Sequence, residues 1–505
     1  MATNAEYDYI VIGAGASGSI VAAKAAAAGH KVLLLELGQP VDPSNPDVWD
    51  PTRWNNLLAD PHFEMGYKSV AQAKLAGREM SLLQSRGLGG CQIHNAMVYV
   101  RGGRPTYDHW AGPLGCTGWS YDALLPHFRD VEKTMNIITA DSSDELSQSI
   151  SEALTALGYP ANKDYNDGPS AYGSVDYQFA IEELADGTLR RTTSFEKFVG
   201  EASLASLTVV TGAAVLRLLL QPNMEAGVEY SDASGALTQV YARREVVLSA
   251  GAIASPAILL RSGVGHADAL KPHDIGLAAH LPEVGRNFHD DLGCGFPVFA
   301  ARPFPPTPYG YLPAGLFACD SGNPPSDPAA FGEINLQFQF GTGNMAGTPA
   351  AHLLPTYALI GASAMHLDSR GTISLDPADP YGHPLVDPAW LTAPGDMDRC
   401  RAALALAQSI AWEPGLMRAW KWLPLPIVSI DQWIRGTGTT VQHYVGSCQM
   451  GPNPETSVVG PDLRVHGLSN VRVIDASVAP TPVTGNTAGV SMVIGAKGAE
   501  LLLDG

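Results

Sequence analysis

The sequence has little of what would assign it to several common protein classes. Charged residues make up only 16% of the 505 residues, and 31 Lys and Arg stand against 50 Asp and Glu, which gives a formal net charge of −19. This acidic balance argues against binding to nucleic acid or to an acidic lipid surface. No apolar run of about 18 residues suggests a membrane span. The 45% hydrophobic content therefore predicts a soluble, cytoplasmic, globular protein with more than one core.

Motifs of metalloenzymes and of serine hydrolases are also missing. The cysteines are scattered, without a CxxC or Cys/His spacing, and predict free thiols, not a disulfide framework or a metal site. They are Cys91, Cys116, Cys294, Cys319, Cys400 and Cys448. No Gly-x-Ser-x-Gly sequence marks a hydrolytic nucleophile. Metal-dependent and hydrolytic chemistry are therefore not expected.

The N-terminal residues carry the pattern of a β-α-β unit. A short apolar strand over 7–12 and a second buried strand over 31–35 flank an Ala-rich helix over 19–28. Such a unit is typical of a parallel, doubly wound sheet. The first strand leads into GAGASG, residues 13–18. The context of strand, glycine-rich loop and helix predicts a dinucleotide site.

Each glycine of this loop has a physical role in that prediction. Gly13 allows the tight turn, Gly15 lets the backbone approach a pyrophosphate, and Gly18 lets the helix pack closely on the sheet. Glu36 follows the second strand and is placed to accept hydrogen bonds from a ribose. The motif does not choose between NAD and FAD.

The rest of the chain predicts more of the same sheet and then a second domain. Strand patterns return over 207–210, 215–219 and 245–248, and a Pro-rich stretch over 291–330 marks a domain transition. Alternation over 334–340 predicts a half-buried strand of an antiparallel sheet. The predicted fold class is α/β, with a doubly wound, Rossmann-like domain and a substrate domain whose antiparallel sheet is flanked by helices.

Several segments resemble the signatures of the glucose–methanol–choline (GMC) oxidoreductases. They are RGLGGCQIHN over 86–95, GAIASP over 251–256, SGVG over 262–265, SRG over 369–371 and DASV over 475–478. These segments follow one another in the family's order and span nearly the whole chain.

The resemblance implies an FAD-dependent enzyme whose FAD-binding domain is assembled from separate parts of the chain. It comprises residues 1–150, with a flavin-contacting loop at 86–110, then 191–292 and 431–505. Residues 151–190 form a substrate-domain or connecting segment, and 293–430 form the substrate-binding domain. The cofactor-binding residues implied are Gly13, Gly15, Ala16, Ser17, Gly18, Glu36, Arg86, Gly89, Gly90, His94, Asn95, Ala96, Val98, Val215, Asp475, Ala476, Asn486 and Thr487.

His94 allows two interpretations. In a choline-oxidising member of the family, a loop of the same spacing carries a histidine that is covalently bonded to the flavin 8-methyl group. His94 matches that residue, and such a bond would fix the ring. The alternative is an imidazole that packs beside the dimethylbenzene edge without a bond.

His443 and Asn486 match the family's catalytic pair. Alcohol oxidation needs a base for the hydroxyl proton while hydride leaves the carbon, and histidine suits that task near neutral pH. The resemblance makes His443 the base and oxyanion stabiliser, and Asn486 the residue that orients the alcohol. His289 and His366 are weaker candidates, for which a structural role is expected.

The substrate domain predicts a small, uncharged substrate. Gln337 and Gln339 are expected on one face of a strand whose other face carries Leu336, Phe338 and Phe340. Aromatic walls are expected from Tyr309, Tyr311, Phe317, Trp420 and Trp422. The segment 311–317 has no carboxylate for the cation of choline. We therefore expect an aryl or heteroaromatic methanol.

Three functional classes remain open at this point. The first is an oxidase that returns electrons to O2. The second is a dehydrogenase with a quinone-type or other acceptor, and the third is a non-redox hydroxynitrile lyase on the same fold. The expected partners are the small alcohol and the electron acceptor, without nucleic acid or membrane. The sequence makes no prediction of oligomeric state.

Overall fold

The protein is described by a computed structural model that covers residues 6–167, 170–202, 204–220, 226–327, 330–344, 353–354, 356–425, 427 and 429–505. The predicted substrate domain, 293–430, thus includes Pro328, Ala329, residues 345–352, Pro355, Pro426 and Val428, which lie outside the described residues.

The α-helices of the described residues are α1 Ala16–Ala27, α2 Pro46–Trp49, α3 Arg104–Ala111, α4 Tyr121–Met135, α5 Glu145–Ala156, α6 Gly251–Arg261, α7 Ala267–Leu270, α8 Asp396–Ala411, α9 Pro414–Trp420, α10 Ile430–Thr437 and α11 Ala488–Asp504. The strands are β1 Tyr7–Ile12, β2 Val32–Glu36, β3 Tyr67–Lys68, β4 Ser81–Leu82, β5 Val98–Tyr99, β6 Ile137–Thr139, β7 Ala161–Asn162, β8 Gly173–Asp176, β9 Gln178–Glu183, β10 Leu189–Arg191, β11 Leu207–Thr211, β12 Ala214–Leu219, β13 Gly227–Ser231, β14 Leu237–Leu248, β15 Val264–Gly265, β16 Ala279–His280, β17 Leu292–Ala300, β18 Ala314–Ala318, β19 Leu336–Asn344, β20 Thr356–Ala364, β21 Thr372–Ser374, β22 Leu385–Asp387, β23 Trp422–Pro424, β24 Thr439–Thr440 and β25 Val471–Val473.

The first large sheet is the doubly wound one that the N-terminal pattern predicts. Its strand order is β11-β2-β1-β14-β13-β12, and β25 pairs with β14. The pairs from β11 through β2 and β1 to β14, and the pair of β14 with β25, are parallel. The central strands are buried on both faces, as their continuous apolar runs require. Strand β14 is longer than predicted, because its first half pairs with β13 and its second half with β1.

Helices α1 and α11 cover this sheet side by side. Small residues let them approach closely, since a Cβ at Gly495 of α11 would lie only 2.8 Å from the Cα of Ser17 in α1. The hydroxyl of Ser17 also donates to the carbonyl of Ser491 at 2.6 Å. The last helix is therefore locked against the helix that follows the glycine-rich loop.

The second large sheet is the predicted antiparallel one. Its strand order is β23-β17-β20-β19-β18-β8-β7, and β24 pairs with β17. One face carries alternate apolar residues, including Leu336, Phe338 and Phe340, which form a core with residues of helices α5, α8 and α9. The opposite face carries Gln337 and Gln339. This arrangement confirms the predicted α/β fold class.

The segments that build this second sheet come from several parts of the chain. Strands β7 and β8 come from the predicted connecting segment, and helix α5 packs beneath the same sheet. Strand β24 begins the C-terminal part that was predicted to belong to the FAD-binding domain, yet it pairs with β17. The boundaries between the domains stay a prediction.

Two aromatic residues do not lie where the sequence analysis expected them. Trp420 and Trp422 were predicted to form walls of the substrate site, but both lie in the core on the helix-covered face, against Phe304. The reason is register: Trp422 pairs with Ala300, whose side chain points to that core. That prediction was wrong.

Candidate active site

Close backbone approach explains two glycines of the first loop. Gly13 has a φ of +99°, and a Cβ there would lie 2.4 Å from the carbonyl oxygen of Ser249. A Cβ at Gly18 would lie 2.0 Å from the carbonyl oxygen of Gly13. Strand β1, the turn and helix α1 therefore form one tight unit that accepts only glycine at these positions.

Gly15 differs from these two, because it faces open space. A Cβ at Gly15 would meet only the Cα of Gly90 among the described residues, at 3.9 Å. Gly90, from the second glycine-rich loop, has a φ of +54°, and its own Cβ would lie 2.7 Å from the Cα of Gly15. The two loops thus meet backbone to backbone at the N-terminus of α1 and leave the kind of opening that a pyrophosphate fits.

Glu36 connects the two loops. Its carboxylate is buried and accepts hydrogen bonds from the amides of Ala14 at 2.8 Å, Gly38 at 2.8 Å and Gly87 at 2.9 Å. Burial raises the pKa of Glu36, while these backbone amides act in the opposite direction. Glu36 therefore holds the two loops together, and its contact with the ribose stays a prediction.

His94 faces Glu64, a partly buried carboxylate whose other oxygen, Oε1, accepts hydrogen bonds from the backbone amides of Gln84 and Gly66. Nδ1 of His94 lies 3.9 Å from Oε2 of Glu64, and neither atom has a hydrogen-bond partner among the described residues. Burial lowers the pKa of His94 to about 4, and the charge of Arg191 adds to this, so the imidazole is neutral. Buried polar atoms without partners indicate a group that completes the site, and the flavin ring fits that description.

Arg191 supports the loop that carries His94 and Asn95. Its guanidinium is fully buried and donates to the carbonyl oxygens of Val48, Gln92 and Asn95, each at 2.7 Å, and to Oδ1 of Asn95 at 2.8 Å. Burial lowers its pKa to about 9. The sequence analysis missed Arg191, because no local pattern distinguishes it from a surface arginine.

The other predicted cofactor residues lie around these loops. Asp475 accepts hydrogen bonds from the amide of Gly251 at 2.9 Å and the hydroxyl of Ser255 at 2.6 Å, so it joins the last strand to helix α6. Arg86 donates to the carbonyl oxygens of Pro61 and His62 on an exposed loop. The remaining residues lie in α1 (Ala16, Ser17), in the second loop and β5 (Gly89, Ala96, Val98), in β12 (Val215) and beside α11 (Ala476, Thr487). Their cofactor contacts stay predictions.

The structure brings His443 and Asn486 together. His443 follows β24 and Asn486 lies two residues before the start of α11, and Nδ2 of Asn486 lies 3.2 Å from Nε2 of His443. His443 is 5% exposed. On its other side, Nδ1 lies 3.0 Å from Oδ2 of Asp291, a residue that the sequence analysis did not select.

Two glutamines of the second sheet hold the other end of the Asn486 amide. Nε2 of Gln337 donates to Oδ1 of Asn486 at 2.9 Å, and Nε2 of Gln339 donates to the same oxygen at 3.3 Å. Gln337 is anchored in turn, because its Nε2 also lies 3.2 Å from the hydroxyl of Tyr177. With its oxygen engaged by two donors, Asn486 turns its NH2 group toward His443.

The sheet face beside these glutamines carries small residues. The partners of Gln339 across the strands are Gly315 and Gly361, and Gly361 pairs with Gly295. Tyr177 covers Gly315 and Leu359 covers Gly295, whereas a Cβ at Gly361 would meet only the carbonyl oxygen of Gln339 among the described residues. The face is therefore open at Gly361.

The weaker histidine candidates have structural partners. Nε2 of His366 lies 3.0 Å from the hydroxyl of Thr484, and burial lowers the pKa of His366 to about 4. Nε2 of His289 lies 2.9 Å from Oδ1 of Asn287. Neither ring is bonded to His443 or Asn486 in the described part of the chain.

Of the predicted aromatic walls, Tyr311 lies near the open face. Its ring stacks on Trp54 at 5.4 Å and lies 3.5 Å from the position that a Cβ of Gly341 would take. Tyr309 and Phe317 belong to a third, smaller core with Phe179 and Tyr165.

The described residues include no group of three or more His, Cys, Asp or Glu that could hold a metal ion. No helix within the described ranges is long and apolar enough to cross a membrane. The six cysteines are free.

Comparison with known proteins places these features in a family. The model of the GMC oxidoreductase family matches residues 7–293 with its N-terminal part and 368–495 with its C-terminal part. Pyridoxine 4-oxidase of Microbacterium luteolum is 31% identical over 510 residues, which cover 95% of this chain and 96% of that protein. Oxygen-dependent choline dehydrogenase of Pseudomonas savastanoi pv. phaseolicola is 32% identical over 543 residues, covering 99% and 94%. The crystal structure of pyridoxine 4-oxidase from Mesorbium loti superposes with a TM-score of 0.86 at 28% identity, covering 98% of this chain and 99% of that one.

Proposed function

Since this chain belongs to the GMC oxidoreductase family, and is therefore an FAD-dependent oxidoreductase, we propose that it oxidises a small aryl or heteroaromatic methanol to the aldehyde. The observation that carries the proposal is the contact between His443 and Asn486, 3.2 Å apart beside an open, uncharged sheet face. We propose O2 as the electron acceptor, with a quinone-type acceptor as the alternative.

The two residues of the pair have separate tasks in this proposal. When bound, FAD supplies the acceptor for the hydride. Nε2 of His443 takes the hydroxyl proton of the alcohol, and the NH2 group of Asn486 donates a hydrogen bond to the same oxygen. His443 is buried and Asn486 is partly buried, so both polar groups act at the inner end of the site.

The character of the sheet face supports the substrate class. Gln337 and Gln339 are neutral, and the space over Gly361 is open to a flat ring. Asp291 is the carboxylate in contact with His443, and its Oδ2 is already engaged by Nδ1 of that ring. A quaternary ammonium such as choline is recognised by aromatic faces, which Tyr311 and Trp54 offer here, but no free carboxylate contacts the side chain of His443 or Asn486 in the described residues, so we propose a neutral ring in preference. The likeness to two pyridoxine 4-oxidases favours a pyridyl methanol within the class.

The test is an anaerobic absorbance titration of the flavin-loaded enzyme with primary alcohols. The panel comprises benzyl, furfuryl, pyridylmethyl, aliphatic and choline-type members. We expect loss of the visible flavin absorbance with the pyridylmethyl or benzyl member. Reduction by choline alone would contradict the proposed substrate class, and an unchanged spectrum with every member would favour a lyase. Admission of O2 to the reduced enzyme then separates an oxidase, which reoxidises rapidly, from a dehydrogenase.

Whether FAD is covalently bonded to His94 is tested separately. A neutral His94 with a partnerless Nδ1 has surroundings compatible with both interpretations, a covalent bond to the flavin or simple packing against it. Acid-denatured protein that retains yellow, fluorescent flavin in a gel indicates the bond. Complete release of flavin excludes it, and His94→Ala is the control that must release all flavin.

A further inference from the structure

A buried carboxylate stands behind the proposed base. Oδ2 of Asp291 lies 3.0 Å from Nδ1 of His443, and the side chain of Asp291 is fully buried while that of His443 is 6% exposed. Charge-assisted hydrogen bonds in such surroundings are stronger than those at the surface. The ring of His443 is therefore held between Asp291 on one nitrogen and Asn486 on the other.

Backbone pairing produces this contact. The antiparallel bridge between His289 and Val445 is closed by two hydrogen bonds, of 3.0 and 3.2 Å. Because the two segments are antiparallel, two residues after His289 and two residues before Val445 this register places Asp291 opposite His443. The second oxygen of Asp291 accepts the amide of His366 at 3.1 Å, which fixes the carboxylate in the plane of the contact.

The chemistry of the two contacts sets the tautomer of His443. A carboxylate only accepts hydrogen bonds, so Nδ1 must carry the proton. Nε2 is then unprotonated, and it accepts from the NH2 group of Asn486 at 3.2 Å. That lone pair is the one that must take a proton from an alcohol at the same place.

We propose that Asp291 is a positioning residue that keeps His443 in the tautomer with Nδ1 protonated and stabilises the positive charge that His443 gains when it accepts the alcohol proton at Nε2. The inference rests on the proposed function, because it assigns a purpose to the base named there. The proton moves from the alcohol oxygen to Nε2, while the proton on Nδ1 remains there.

The neighbouring Asp290 provides a matched control. Its Oδ1 accepts the backbone amide of His443 at 3.0 Å, and its Oδ2 has no partner among the described residues. Burial raises the pKa of Asp290 well above its usual range. Replacement of Asp290 by asparagine keeps an oxygen that can accept the amide of His443 and leaves the contact between Nδ1 of His443 and Asp291 in place. The same replacement at Asp291 leaves one acceptor where two donors must be satisfied.

The experiment compares Asp291→Asn with Asp290→Asn in the FAD-loaded enzyme, by anaerobic stopped-flow reduction with the alcohol that the titration identifies. Loss of a residue that orients a catalytic histidine slows turnover by about 10²- to 10⁴-fold. We expect a fall of about 100-fold in the limiting rate for Asp291→Asn, with unchanged substrate affinity and flavin content. Asp290→Asn is expected to stay close to the wild-type rate. A wild-type rate in Asp291→Asn, or an equal loss in both variants, would overturn the proposal.

A measurement without turnover keeps the two proposals apart. Nitrogen-15 NMR of histidine-labelled protein reports which ring nitrogen carries the proton, and His443→Gln identifies the relevant signals. Protonation at Nδ1 in the wild type, lost in Asp291→Asn, supports the proposal even where no alcohol in the panel reduces the flavin. Protonation at Nε2 in the wild type would overturn it, whatever the substrate.

Discussion

The nucleotide end of this protein, the glycine-rich loops around Gly15 and Gly90, and its chemical end, the pair His443 and Asn486, are formed by different parts of their residues. At the nucleotide end the site is formed by the backbone. Gly13, Gly15 and Gly18 shape one loop, and Gly90 of a second loop packs against it. At the proposed catalytic pair, side chains from distant segments converge. Gln337 contacts Asn486, Asn486 contacts His443, and His443 contacts Asp291, each within hydrogen-bonding distance. The first end is local in the chain and the second is assembled by the fold.

The largest expected effect comes from closing the nucleotide end without disturbing the fold. Gly15 has an ordinary φ of −79° and open space before it, so Gly15→Val places a side chain where the pyrophosphate is predicted to lie. We expect nearly complete loss of flavin and hence of activity, with thermal unfolding of the apoprotein unchanged. Flavin absorbance per protein and circular dichroism measure the two. Gly276→Val, at a position with nothing within 4 Å, is the control that should keep its flavin.

Removal of the proposed base tests the chemical end alone. His443→Ala is expected to slow flavin reduction by about two or more orders of magnitude, the usual scale for loss of a general base. Flavin binding should persist, because the loops around Gly15 and Gly90 are untouched. Stopped-flow reduction gives the rate, and a variant that reduces as fast as the wild type would remove His443 from the mechanism.

The open face predicts a smaller effect that separates binding from chemistry. Gly361→Val fills the space beside Gln339, and we expect KM for an aryl methanol to rise about tenfold, the scale of one or two misplaced methyl groups. The limiting rate with a small aliphatic alcohol should change less. If the substitution changes KM by the same factor for both kinds of alcohol, the ring does not lie over Gly361.

The smallest expected effect is on the support of Asn486. Gln337→Leu removes one of two donors to Oδ1 of Asn486 and leaves Gln339 in place. Loss of one neutral hydrogen bond is worth about 1 kcal/mol, so we expect a fall of a fewfold in the reduction rate at constant flavin content. The double variant Gln337→Leu/Gln339→Leu should lose more than the sum of the two, since the amide of Asn486 is then free to turn.

The same contrast explains what could be predicted from the sequence. The β-α-β unit, the flavin loop and the family could be predicted because each rests on contiguous segments of sequence, in which the glycines have steric reasons. His443 and Asn486 were selected through the resemblance, and the placement of Gln337 followed from strand alternation. Asp291 could not be found, because its role depends on the register of the His289–Val445 bridge. The misplacement of Trp422 has the same origin, since the face of a strand residue depends on pairing that composition does not reveal. Trp420 ends helix α9 and packs into the core from there.

The close packing of α1 and α11 has a consequence for redesign. Asn486 lies two residues before α11, and Gly495 of that helix lies against Ser17 of α1 with no space for a methyl group. We propose that the Asn486 amide meets the alcohol from a place set by the nucleotide-binding domain, and that the ring of the alcohol lies against β19 and β20. Residues of those strands other than Gln337 and Gln339, such as Gly361, can therefore be exchanged to suit a new alcohol while the contacts of His443 and Asn486 are kept.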